Sequence, residues 1–351
     1  MWGTRDPQIL CAQMQGSMKN PYYNPNKKHH RPTGFQNNYM SFRGKRWHEI
    51  LRWRWQAWRA GHPQPLQTPI PVVSPDLNFI HSNAKAGLAM QPAATWIGHI
   101  TVLMQMAGLN ILTDPVFSER CFPVQWAGPK RQTPPGLTLT ELPHIDVVLL
   151  SHNHYDHMDE GTLLDLAKKS PKTLFLVPLG VEKTFQSWGI NNVQAMDWWD
   201  KKSIRGAEFI FVPAYHWSAR TLLDRNTTLW GGWVVKHPRL NFFFSGDTGY
   251  SDDFKEIGKR LGPFDFSAIA VGAYEPRWFM KAQHINPDEA VKIHQEVGSK
   301  KSIGVHWGTF ELTDEPLDQP IGDLAKARKR YGLPDSEFEL LEHGQTITLK
   351  D

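Results

Sequence analysis

The segment Ser151-His152-Asn153-His154-Tyr155-Asp156-His157 follows directly on the aliphatic run 147–150, and this juxtaposition constrains the fold more than any other stretch of the chain. A short apolar run bounded by polar residues reads as a strand buried on both faces. It delivers three imidazoles and a carboxylate within residues 152–157. On a continuing strand His152, His154 and Asp156 would share one face and His157 would point away, so all four converge only in a tight loop at the strand end. Imidazole nitrogen and carboxylate oxygen are donors suited to zinc and similar divalent ions; the competing reading is a solvated polar loop. His216 after the apolar run 209–213, Asp247 after 242–244 and His306 after 303–305 repeat the arrangement. Each alone reads as a capped turn. Together they describe strands handing one donor apiece to a common edge.

Around these points the chain alternates between the two periods. Residues 95–104 and 111–113 read as a hairpin and 146–150 as a buried strand, with further strands at 173–177, 208–212, 230–236, 241–244, 267–271 and 302–305. Helices are expected at 161–169, 253–261, 287–297 and 321–331. Asn286 before Pro287, with Asp288 and Glu289 in the first turn, is a strong helix start because it caps free amides and opposes the helix dipole. Strands mixed with helices at these spacings predict an α/β fold of sheets covered by helices.

The N-terminal part is different in kind. Residues 1–62 hold 11 Lys/Arg against 2 Asp/Glu, a net +9, which leaves 28 against 33, a net −5, for the other 289. Residues 1–42, rich in Asn, Gln, Lys, Tyr and Pro, lack either period and read as a flexible or surface-draped arm. From Arg43 to Ala60, Trp47, Leu51, Trp55 and Trp58 fall on one narrow helical arc, with Arg46, Arg52 and Arg59 off the stripe and Arg54 near its edge. Gly61 ends this helix, and Pro63, Pro65, Pro69, Pro71 and Pro75 form an extended linker. The domain expectation is therefore a basic Trp/Arg-rich arm over 1–75 and an acidic α/β body over 76–351.

Composition excludes several classes. No apolar run approaches the roughly 18 to 20 residues of a bilayer span, and no signal-peptide apolar region is visible near Met1. Cys11 and Cys121 lie 110 positions apart with no metal or redox spacing, so both read as ordinary thiols and a reducing compartment is the default. The expected location is cytoplasmic, peripheral on the inner membrane surface.

The order H-x-H-x-D-H, then His, Asp and His resembles the metallo-β-lactamase superfamily. Within it, LTDPVFS at 112–118, GPKR at 128–131, SHNHYDHMD at 151–159, GDTGY at 246–250, GAYEPRWFM at 272–280 and HWGTF at 306–310 resemble the N-acyl-phosphatidylethanolamine-hydrolysing phospholipase D family. The likeness runs from about residue 95 to 345 and leaves the arm uncovered. It implies an αββα metallo-β-lactamase-like sandwich with a two-metal site at one edge and two Zn2+ per chain. His152, His154 and His216 would hold one ion, Asp156, His157 and His306 the other, and Asp247 would bridge them.

Two metals about 3.5 to 4 Å apart can share a water and lower its pKa toward about 7. The resemblance implies that such a hydroxide splits N-acyl-phosphatidylethanolamine into an N-acylethanolamine and phosphatidic acid, with Asp156 and Asp247 in the catalytic set. His284, just before a helix, is the candidate to protonate the leaving alcohol, weighed against a surface or supporting histidine; His99 reads as a support for the fold or the ligands. Lys130, Arg131, Tyr155 and Arg277 are the candidate substrate contacts, the three cations weighed against solvated loop charges. The alternative activity is a lactonase or small phosphoester hydrolase on the same site. Partner expectations are a phospholipid substrate, an anionic membrane met by residues 43–60 against simple packing of that helix on the body, and a homodimer; nucleic acid is set aside because the body is acidic.

Overall fold

The computed structural model describes residues 19–39, 44–62 and 64–349; Cys11, Arg43, Pro63 and the first 18 residues of the expected arm lie outside them. In chain order the strands are β1 (His30–Arg31), β2 (Gly34–Phe35), β3 (Ala93–Gly98), β4 (Thr101–Met106), β5 (Leu109–Thr113), β6 (Val147–Leu149), β7 (Leu174–Pro178), β8 (Val193–Met196), β9 (Lys201–Ile204), β10 (Ala207–Val212), β11 (Gly232–His237), β12 (Leu240–Phe244), β13 (Phe266–Ala270), β14 (Ser302–Val305), β15 (Phe338–Glu339) and β16 (Thr346–Thr348). The helices are α1 (Trp47–Ala60), α2 (Leu77–Ala84), α3 (Glu160–Lys169), α4 (Glu182–Ser187), α5 (Asp253–Leu261), α6 (Arg277–Met280), α7 (Pro287–Val297) and α8 (Gln319–Tyr331).

The strands form two seven-stranded sheets, ordered β16-β3-β4-β5-β6-β7-β8 and β15-β14-β13-β12-β11-β10-β9. Both run antiparallel through their first hairpins and parallel thereafter, from β5 to β8 in one and from β12 to β15 in the other. This is the expected αββα sandwich. The aliphatic run before the histidine string shows why both faces of β6 are apolar: Val147 and Leu149 enter the core between the sheets with Trp96, Phe209 and Trp233, while Val148 and Leu150 pack outward with Leu163 and Leu166 of α3 and Phe185 of α4. Asn286 caps α7 with its side chain accepting from the Glu289 N–H, Glu289 returning the bond to complete a capping box.

Three differences from the sequence reading matter for the site. Residues 95–104 are not one strand: the chain turns at His99, whose backbone is left-handed at φ 48°, and pairs β3 with β4. Residues 19–39 do not drape over the surface. Phe35 is 2% exposed within the main core, and His29 and His30 bond Asp197, whose carboxylate also meets Lys27. Local period could not reveal this, because the partner lies about 167 positions away. Finally, α1 docks through Ala57, which is buried, and Trp53, which stacks on Phe279 at 4.9 Å and donates its indole N–H to Asp314 Oδ1 at 2.9 Å. The Trp47, Leu51, Trp55 and Trp58 stripe faces away from the body, with exposures of 67, 57, 54 and 77%, so the reading in which it packs on the body does not hold.

Candidate metal centre

The histidine string leaves β6 at the carboxyl edge of the first sheet. Ser151 is fixed by Asp114, which follows β5: the Ser151 backbone N–H donates to Asp114 Oδ1 at 2.7 Å, and its hydroxyl bonds Oδ2. The same Asp114 Oδ2 takes His157 Nδ1 at 2.7 Å, so Nε2 of His157 is turned inward. His152 Nδ1 meets the Ser151 hydroxyl at 2.9 Å, and His216 Nδ1 meets the Gln283 carbonyl at 2.9 Å, leaving their Nε2 atoms to face His154. Gly246, at φ 57°, lets the Asp247 turn approach: a Cβ there would lie 2.7 Å from Ser151 Cβ and 2.8 Å from Gly231 O.

The seven expected donors meet. His152 Nε2 lies 2.7 Å and His216 Nε2 3.3 Å from His154 Nδ1. On the other side, Asp156 Oδ2 lies 3.4 Å from His157 Nε2 and 3.2 Å from His306 Nε2. Asp247 stands between, its Oδ2 3.1 Å from His157 Nε2 and 3.9 Å from His216 Nε2, its Oδ1 3.2 Å from His306 Nε2. His154 Nδ1 cannot satisfy both facing imidazoles through a single N–H···N hydrogen bond, and His154 Nε2, His157 Nε2 and Asp247 Oδ1 are buried with no hydrogen-bond partner in the protein. The residues therefore fit a divalent metal centre.

The electrostatics divide the donors into two sets. Burial pulls the pKa of His152 well down and those of His154 and His216 to about 3, the neutral state a metal ligand requires. Burial alone would raise the Asp156 and Asp247 carboxyls, but the imidazoles, His157 above all, overcome it and hold both well below the usual carboxylate range. The same carboxylates push His157 well above the ordinary imidazole value and His306 up to about 9 against the opposite pull of burial, so these two rings release a proton when a cation binds.

His284 lies at the rim of this cluster, its Nδ1 3.6 Å from Asp247 Oδ2. Burial pulls its pKa to about 3, so near neutral pH the ring carries one proton. Together with His154, Tyr155, Asp156 and Asp247 it lines a cavity of about 500 Å³ whose walls are Ile50, Trp53, Trp217, Phe279, Met280 and Leu312. The expected cations are elsewhere. Lys130 is exposed beside Glu119; Arg131 donates to the Ser118 and Val116 carbonyls; Arg277 pairs with Glu289 and donates to the His284 carbonyl.

Sequence reasoning missed Asp114, although it sits in the LTDPVFS string. It placed His99 only loosely: His99 Nε2 lies 3.2 Å from Asp156 Oδ2, and the His306 N–H donates to the His99 carbonyl. It also missed Asn37, which brackets His216 by accepting from its N–H at 3.1 Å and donating to its carbonyl at 3.0 Å. No local signal marks Asn37, because the contact spans 179 positions.

Comparison with known proteins follows the same lines. The model of the β-lactamase superfamily domain matches residues 109–307. The N-acyl-phosphatidylethanolamine-hydrolyzing phospholipase D 1 of Caenorhabditis elegans is 40% identical over 301 residues, 82% of this chain and 82% of that protein. The mitochondrial N-acyl-phosphatidylethanolamine-hydrolyzing phospholipase D of Saccharomyces cerevisiae is 39% identical over 251 residues, 69% of this chain and 53% of its own length. Among solved structures, a metallo hydrolase from the archaeon Ignicoccus hospitalis superposes with a TM-score of 0.57 at 16% identity, over 74% of this chain and 99% of that one.

Proposed function

This chain belongs to the metallo-β-lactamase superfamily and is a metal-dependent hydrolase, and we propose that it hydrolyses the phosphodiester of an N-acyl-phosphatidylethanolamine to an N-acylethanolamine and phosphatidic acid. The observation that carries this reading is the cavity itself: aromatic and aliphatic walls open directly over a floor of His and Asp donors. A lipid is the substrate class that pairs long apolar chains with a polar reacting centre, and the names carried by the worm and yeast relatives support the choice.

Two Zn2+ would be held here, one by His152, His154 and His216 and the other by Asp156, His157 and His306, with Asp247 between the two sets. Bound there, they would supply a Lewis acid for the phosphoryl oxygen and a water acidified toward a pKa of about 7. Asp247 and Asp156 fix the geometry of the floor. His284, its carbonyl fixed by Arg277, is neutral near pH 7; it takes the proton that the attacking water gives up and, as the imidazolium, passes it to the oxygen of the leaving alcohol, which is a poor leaving group without it. Tyr155 donates to the Arg220 carbonyl under the Arg220 guanidinium and forms a fixed part of the wall.

The mouth of the cavity adjoins a bilayer surface through α1. Ile50 and Trp53 face the cavity while Trp47, Leu51, Trp55 and Trp58 face outward, with Arg52 and Arg59 over neighbouring tryptophans. A tryptophan and leucine face flanked by arginine suits the interface of an anionic membrane. No helix among the described residues is long and apolar enough to cross one.

The test is to incubate the zinc-loaded protein with N-acyl-phosphatidylethanolamine vesicles beside a lactone panel and to follow products by mass spectrometry. N-acylethanolamine should appear without lactone turnover; lactone turnover alone would overturn the reading. Trp55→Ser with Trp58→Ser should weaken vesicle binding while leaving turnover of a micellar short-chain substrate intact.

A further inference from the structure

The cations that the sequence offered for a phosphate are held elsewhere, but the cavity has two of its own. Lys45 stands just before α1, its Nζ 4.5 Å over the Phe279 ring. Arg225 comes from the loop that follows His216, its guanidinium 4.2 Å over the Trp217 ring. The Arg225 guanidinium reaches the backbone beside Lys45: a Cβ on Gly44 would lie 3.2 Å from Arg225 Cζ. Both line the same space as His154, Asp156, Asp247 and His284.

Charge in this space is distributed unevenly. The carboxylates of the lining are Asp156 and Asp247, and both are engaged by the imidazoles of the metal centre. The neighbouring cavity, which shares Tyr155, instead mixes Arg120 and Arg220 with Asp159, Glu160 and Asp224. Lys45 has no carboxylate within ion-pair distance among the described residues, and burial lowers its pKa with only Glu49 opposing. A half-buried ammonium resting on an aromatic ring has lost part of its hydration without gaining an anion. An anionic ligand would supply the missing partner through a charge-assisted hydrogen bond.

We infer that Lys45 and Arg225 form an anion subsite beside the metal centre that receives the phosphoryl oxygens of the substrate and of its phosphatidic acid product. The inference rests on the phosphodiesterase reading for its choice of ligand, and it gives the N-terminal segment a part in substrate selection: a neutral ester gains nothing from the subsite, whereas a phosphodiester is retained by it.

The experiment uses the full-length, metal-loaded protein as wild type, Lys45→Met and Lys45→Arg. Binding of short-chain phosphatidic acid, inorganic phosphate and a neutral diacylglycerol of equal chain length is read by calorimetry, with metal content and melting temperature as controls. Lys45→Met should weaken phosphatidic acid about ten-fold, Lys45→Arg should restore most of it, and diacylglycerol should bind all three alike. A matching Lys45 dependence for inorganic phosphate assigns recognition to the phosphoryl group alone; dependence for phosphatidic acid only assigns it to a head group anchored by its chains. In turnover the loss should fall on KM rather than kcat. Equal phosphatidic acid binding by wild type and Lys45→Met overturns the subsite, as does an equal loss of diacylglycerol binding. If the wild type turns over no phosphodiester, the proposed function fails while the binding arms still decide the subsite.

Discussion

Among the described residues, two groups of buried imidazoles and carboxylates stand out, and they behave in opposite ways. In the first, at the joint sheet edge, nitrogen faces nitrogen, His152 Nε2 against His154 Nδ1 at 2.7 Å, and buried atoms of His157 and Asp247 have no partner. In the second, His29 and His30 close on the two oxygens of Asp197 at 2.7 and 2.9 Å, Lys27 adds an ammonium at 2.5 Å, and the Trp198 N–H donates to Oδ1 at 2.8 Å. Both sets have the residue types of a metal site. Only the first has donors that the protein itself does not satisfy. The second is complete as it stands: a latch that fastens residues 19–39 to the body. Residue type nominates a metal site; unsatisfied geometry distinguishes it from a structural tie.

That contrast can be broken at either end. Asp247→Asn removes the carboxylate between the two donor sets, and hydrolysis should fall by at least about a thousand-fold, with less bound metal by elemental analysis and an unchanged circular dichroism spectrum; retained activity would end the two-ion reading. Asp197→Asn should do the reverse. It leaves Lys27 and two buried rings without their anion, so urea denaturation should show a loss of about 2 to 4 kcal/mol, while the metal bound per folded chain stays at the wild-type level. A chelator should deepen the contrast by destabilising the wild type and Asp197→Asn to a similar degree.

Asn37→Ala tests the connection between the two groups, because the latched segment carries the side chain that brackets His216. Metal affinity should drop about ten-fold, measured by competition with a chromophoric chelator, and the effect should be absent if the latch is only a tether.

The smallest effect is in acid. Burial would raise the Asp197 carboxyl, but hydrogen bonds from His29 and Lys27 hold it well below the usual carboxylate range. A group with a depressed folded-state pKa binds its proton more readily in the unfolded chain, so its contribution is complete above the unfolded value near about 4 and is lost as pH falls below it. Stability measured between about pH 5 and 3 should therefore fall more steeply for the wild type than for Asp197→Asn; equal slopes would remove Asp197 from the acid response.

What was legible in the chain had a local cause. The aliphatic run before Ser151 announced β6 because both its faces are covered, and Asn286, Pro287 and Glu289 announced α7 because a capping box is written in four consecutive residues. The convergence of seven His and Asp side chains at one edge was legible because each follows a strand end. What stayed hidden depended on partners far along the chain. The period of Trp47, Leu51, Trp55 and Trp58 marks one arc of a helix but not whether that arc faces protein or solvent, and it was Trp53, off the stripe, that docked. Residues 19–39 have no period at all, since Phe35, His29 and Asn37 each fit a separate receptor in the body. The charges Lys130, Arg131 and Arg277 looked suitable for a phosphate by type, yet carbonyl and carboxylate partners hold them apart from the cavity.

One pairing described above also sets an order in time. β16, at residues 346–348, hydrogen-bonds to β3, with Thr346 opposite Thr95, and so forms the outermost strand of the first sheet. A ribosome releases the amino end first, so every donor from His152 to His306 has been made before the strand that seals this sheet exists. Until then β3 presents an open edge to the crowded cell, and a chain stopped before Thr346 would contain every residue of the candidate metal centre but remain a template for unwanted strand pairing.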